Sequence, residues 1–91
     1  MNIVAQHRIT DPERFLTEAE EVIGGAPPGV QLRQSFPSQD ASVAVCLWEA
    51  DSIDAVRDYL DPASDGIAEN TYFEVDAEHA IGLPEAAAAG A

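Results

Sequence analysis

Between Ser42 and Leu60 the polarity pattern changes period once, and that change organises the reading of the whole chain. Val43, Val45 and Leu47 alternate with Ser42, Ala44, Cys46 and Trp48, giving one strongly apolar face and one mixed face, the pattern of a central strand covered on both sides. After Glu49-Ala50, Asp51 or Ser52 can cap a helix in which Ile53, Val56 and Leu60 recur at helical spacing, while Asp54, Arg57 and Asp58 fall elsewhere. Asp61-Pro62 reads as its stop, because the residue before a proline disfavours the helical region.

Upstream, Asn2 to Arg8 is a short apolar run bounded by a turn signal and predicts a first strand, with Ile3, Ala5 and His7 on one side and Val4 and Gln6 on the other. Asp11 caps a helix that has Pro12 at its first position, carries the stripe Phe15, Leu16, Ala19, Val22 and Ile23, and ends at Gly24-Gly25. Past the rigid loop Ala26 to Gly29, Val30, Leu32, Gln34 and Phe36 alternate with Gln31, Arg33 and Ser35 as a second strand. Pro37 to Asp40 then turns the chain back as a hairpin. Ala63 to Asn70 reads as a loop, Thr71 to Asp76 as a last strand, and Ala77 to Leu83 as a short turn behind an Asp76 cap.

The resulting order, β-α-β-β-α-β, predicts an α+β ferredoxin-like domain over residues 1–83, a four-stranded antiparallel sheet with two helices on one face. Residues 84–91, nearly all alanine, read as a disordered tail. The helices are expected to cover Val43, Val45, Leu47, Phe73 and Val75. The open face would then carry Ala44, Cys46, Trp48, Tyr72, Glu74 and Arg33, with His7 assignable to either face. That stripe is too aromatic to stay in water, so a homodimer through it is expected, with Trp48 and Tyr72 as anchors.

Composition narrows the partners. The 91 residues carry 17 acidic side chains against 4 arginines and no lysine, a formal charge of −13, which repels phosphate backbones and anionic lipid. Nucleic acid and membrane are therefore excluded as partners, and no apolar run approaches the ~20 residues of a membrane span. The same self-repulsion predicts that salt stabilises the fold. One cysteine, Cys46, allows no internal disulfide. The N-terminal stretch reads as a strand without signal-like basic and apolar regions, so a cytoplasmic location is expected.

The segments Val4 to Arg8 (VAQHR) and Cys46 to Val56 (CLWEADSIDAV), within this element order, resemble the dimeric α/β-barrel superfamily. More narrowly, they are similar to a family of small proteins of unconfirmed function, one branch of which is described as nickel-binding. The resemblance implies two ferredoxin-like subunits packed sheet against sheet, with a cavity beside each sheet. It extends over most of Met1 to Asp76. Where that family commonly has a histidine on the second helix, this chain has Asp58-Tyr59-Leu60-Asp61.

Three functional readings stay open at this level. His7, Cys46, Glu49, Glu74 and His79 are the borderline or soft ligands that nickel or zinc would use, and none of the His and Cys residues lie at close ligand spacing. Alternatively, His7, Trp48, Tyr59 and Tyr72 line a pocket for a small organic molecule. The superfamily resemblance extends this second reading to a cofactor-free monooxygenase, or an isomerase or lyase, acting on a planar aromatic substrate with His7 as base. The third is a structural dimer with no ligand. No phosphate loop, Ser/His/Asp pattern, paired-carboxylate spacing or CxxC is present.

Overall fold

The computed structural model describes residues 1–84. Its elements are β1 (Asn2–Ile9), α1 (Pro12–Gly24), β2 (Gln31–Pro37), β3 (Val43–Glu49), α2 (Ile53–Ala63) and β4 (Ala68–Glu74). The strands form one antiparallel sheet in the order β2-β3-β1-β4, with both helices on the same face, so the chain has the ferredoxin-like α+β fold. Residues 85–91, most of the expected tail, lie outside the described residues. Among the described residues no helix is long and apolar enough to cross a membrane.

The caps act as the sequence implies. Asp11 accepts a hydrogen bond from Arg14 N at 3.2 Å, and Ser52 rather than Asp51 caps α2 by accepting from Ala55 N at 3.1 Å. At the end of α1, a Cβ on Gly25 would lie 3.1 Å from both the Glu21 carbonyl and the Tyr59 hydroxyl, so a side chain there would press on both and push α2 outward by a few tenths of an ångström. Two boundaries differ from expectation. The second helix does not stop at Asp61-Pro62: it includes both and runs to Ala63, because a proline in the last turn gives up a single intrahelical bond. The last strand starts three residues earlier than Thr71, at Ala68, since a turn through Gly66 at φ +74 returns the chain directly to the edge of β1.

The facing of the sheet is largely the reverse of the expected one; Arg33 stays on the open face with Glu49, and Leu47 is buried as expected although it lies on that face. Read across the strands, the helix side consists of the rows Leu32-Trp48-Ile3-Glu74, Ser35-Cys46-Ala5-Tyr72 and Pro37-Ala44-His7-Asn70. Trp48, Cys46, Ala44, Ile3, Ala5 and His7 are all buried there, and Val43, Val45, Phe36 and Phe73 lie exposed on the other face. Two physical causes produce the reversal. Both faces of β3 are apolar, so alternation cannot choose between them, and burying one indole removes more apolar surface than burying a valine. In addition, a bulge between Leu32 and Gln34 breaks the β2 alternation, sending Leu32 toward the helices and Gln34 and Phe36 away.

The helices pack unequally. Val56 and Leu60 of α2 are buried against Ile3, Ala5 and Trp48, whereas α1 buries no residue completely and leaves Leu16 and Ile23 exposed. Tyr59 ties the pair together by donating to the Val22 carbonyl at 2.6 Å.

Candidate functional site

The row Ser35-Cys46-Ala5 puts three small side chains side by side under the helices, with larger ones at either end. Space that those side chains do not fill, roofed by α1, remains as a cavity of about 80 Å³. Its walls include Phe15, Val22, Leu32, Leu60 and Ile67, with His7 toward one end and Trp48 toward the other. Four residues along the strands separate those two positions, about 13 Å at the usual rise. A wider depression of about 240 Å³, bordered by Met1, Gly29, Gln31, Glu49, Ala50 and Asp51, is mostly polar and lacks apolar walls to exclude water around a ligand.

His7 is 7% exposed, and its ring sits 5.6 Å from that of Phe15. Its Nδ1 is 2.6 Å from Asn70 Oδ1. Which end of the Asn70 amide faces His7 follows from the other end. Nδ2 lies 3.2 Å from Asp61 Oδ1 and 2.6 Å from Ser64 Oγ. A carboxylate can only accept, and the Ser64 hydroxyl already donates to the Leu60 carbonyl at 2.7 Å, so both neighbours require the amide nitrogen to point at them. The amide oxygen therefore faces His7, Nδ1 carries the proton, and Nε2 is left with a lone pair and no partner among the described residues. Tyr72 also donates to Asp61 Oδ1, at 2.6 Å.

Burial pushes His7 below its ordinary 6.5, and the hydrogen bond to Asn70 opposes this only in part. The folded protein thus holds a neutral imidazole that the unfolded chain would protonate first. Between the unfolded value near 6.5 and the lower folded value, the unfolded chain binds the extra proton, so stability falls as pH drops through that window. We expect the melting temperature to decline from pH 7.5 to pH 5.5, and His7→Gln to flatten that decline; an identical slope in the variant would refute the assignment.

At the other end, Trp48 Nε1 is the buried side-chain nitrogen or oxygen that finds no partner among the described residues. A buried N–H without an acceptor costs roughly 1–3 kcal/mol, and because the atom is sealed by its neighbours the indole offers the cavity apolar surface rather than a donor. Between the two ends, Ser35 Oγ and Cys46 Sγ are 3.4 Å apart, and burial pushes the Cys46 thiol up, so it acts as an apolar wall rather than a thiolate.

The other residues singled out from the sequence are placed elsewhere. Tyr59 spends its hydroxyl on Val22, and Tyr72 spends its own on Asp61 while Arg57 stands 5.6 Å over its ring. Burial and the neighbouring Asp61 carboxylate push the Tyr72 phenol up, so it stays protonated. Glu49 pairs with Arg33 at 3.0 Å, and Glu74 is exposed at the end of β4. His79, in the turn after β4, is exposed and 2.7 Å from Asp76. Of His7, Cys46, Glu49 and His79, only the first two border the cavity, and among the described residues no three His, Cys, Asp or Glu side chains converge as a metal site. That donor set does not fit the nickel or zinc implied by the resemblance. Asn70 and Asp61 carry no functional signal in the sequence, where they fall in a loop and at a helix stop.

Fold and site together define a ferredoxin-like α+β protein with a cavity between its first helix and its sheet. No family model matches the chain, and neither a curated protein nor a solved structure matches it.

Proposed function

We propose that this protein binds a small, uncharged, largely apolar organic molecule in the cavity beneath α1. The observation that carries this reading is the Nε2 lone pair of His7, which has no partner among the described residues and belongs to a side chain lining a mostly apolar cavity. Incomplete docking of α1 supports the same reading, because a helix whose inward residues are only half-buried can shift to admit a ligand. The nickel-binding alternative loses its donors.

A thermal-shift and calorimetric screen of small hydroxylated and carbonyl-bearing aromatics tests the proposal. Binding should raise the melting temperature and weaken about tenfold in His7→Ala, the loss of one hydrogen bond. Failure of every compound to shift the melting curve, with nickel and zinc equally silent, would leave a structural protein. Turnover of a bound compound, abolished by His7→Ala, would extend binding to catalysis, as in the cofactor-free enzymes of the superfamily the sequence resembles. The orientation of the His7 lone pair favours that extension, while its lowered basicity opposes it.

A second copy of the chain is the proposed partner, through the open face. Phe36, Val43, Val45 and Phe73 are 62%, 48%, 39% and 47% exposed there. The face's arginines Arg8 and Arg33 pair with Glu69 and Glu49, so a molecule of charge −13 presents an apolar and locally neutralised surface at this one place. Sheet-on-sheet packing of two copies buries this apolar face and brings together the part of the surface where the arginines offset neighbouring carboxylates.

A further inference from the structure

Resting on the binding role proposed above, we infer that Asp61, Ser64 and Asn70 set the specificity of the cavity: they fix His7 as a hydrogen-bond acceptor, so the site selects ligands that donate an O–H or N–H, such as hydroxyl-bearing aromatics, over their O-methyl ethers. The inference follows from atom-by-atom accounting. The Leu60 carbonyl takes the Ser64 proton, the Ser64 oxygen and the Asp61 carboxylate take the two Asn70 amide protons, and the Asn70 oxygen takes the proton of His7 Nδ1. Nothing in that series can be reversed without turning an acceptor on an acceptor. The proton relay thus leaves Nε2 able only to accept.

This restricts the ligand in three ways. An ether or carbonyl oxygen placed against Nε2 sets lone pair against lone pair, so the His7 end rejects it. The Trp48 end adds only apolar contact, because the indole Nε1 is sealed from the cavity and the residue lines it through carbon atoms. A carboxylate or phosphate meets apolar walls, a neutral imidazole and a strongly acidic surface, with Glu18 among the lining groups, and so is desolvated without a counter-charge. The ligand class is therefore a neutral molecule with a hydrogen-bond donor at its His7 end and an apolar body beyond it. Asn70 is a positioning residue in this scheme, because it reaches the ligand only through His7.

The experiment compares 4-hydroxyacetophenone with 4-methoxyacetophenone by calorimetry, and reads the His7 tautomer from the imidazole ¹⁵N shifts, assigned with His7→Gln to separate His7 from His79. We expect the hydroxyl compound to bind about tenfold or more tightly than the ether, the scale of one hydrogen bond with its acceptor left unmatched, and the spectrum to show Nδ1–H with Nε2 unprotonated. In Asn70→Ala the tautomers should mix and the preference between the two compounds should shrink. Equal affinities in the wild-type protein, or an Nε2–H tautomer, would overturn the inference while leaving the binding role standing. If neither compound binds, both fall. The wild-type measurements decide the matter even where Asn70→Ala fails to fold.

Discussion

Trp48→Glu should yield an unfolded chain rather than a dissociated one. The indole is 2% exposed and packs among Ile3, Val56 and Leu60. Removing a buried aromatic typically costs about 3–5 kcal/mol, and a carboxylate in the same place adds a charge without a partner. Against a total stability of about 5–15 kcal/mol for a domain, that sum leaves little or nothing folded. Far-UV circular dichroism at 25 °C should show loss of the native spectrum. A folded, soluble Trp48→Glu protein would restore the sequence-based placement of Trp48 on the open face. Trp48→Phe is the conservative companion: it keeps most of the buried surface, removes the N–H that has no partner among the described residues, and should fold.

Val45→Glu should do the reverse, separating subunits while leaving the fold intact. Val45 is half exposed in the single chain, in the row Phe36-Val45-Gln6-Thr71, so a glutamate there costs the monomer little. In a two-fold symmetric contact, each substitution places a carboxylate in the buried centre of the interface and is counted twice, an expected loss of several kcal/mol in association. Light scattering should give a dimer mass for the wild type at micromolar concentration and a monomer mass for the variant, with unchanged circular dichroism. A monomeric wild type would remove the second copy as partner.

Comparing sequence with structure separates what periodicity encodes from what it does not. Caps and hydrophobic spacing specified the order of six elements, since Asp11-Pro12, Gly24-Gly25 and Ser52 act locally and need no tertiary information. Facing needed more. Val43, Val45 and Leu47 look like the core side of β3 until their neighbours are known, and only pairing with Ile3, Ala5 and His7 of β1 settles that Trp48, Cys46 and Ala44 go inward. The β2 bulge is likewise invisible to an alternation count. For the site, His7 and Trp48 were legible as chemistry-bearing residues in a strand-rich context, but their separation across a shared cavity depends on register. Asn70 is hidden because the sequence pattern ends the second helix at Asp61-Pro62 and places Ala63 to Asn70 in a loop. A helix running through Pro62 and a strand starting at Ala68 bring Asp61, Ser64 and Asn70 together beneath His7, and neither event is written in local propensity.

The sole tryptophan provides the most direct test of the cavity itself, because its indole N–H gives one resolved signal in a ¹H–¹⁵N spectrum and its ring lines the cavity. Titrating 4-hydroxyacetophenone, the account predicts a saturable shift of the Trp48 indole resonance, with amides of Ala5, Cys46, Phe15 and Val22 following the same binding curve. Shifts confined to Phe36, Val45 and Phe73 on the open face, with the indole signal unmoved, would contradict it.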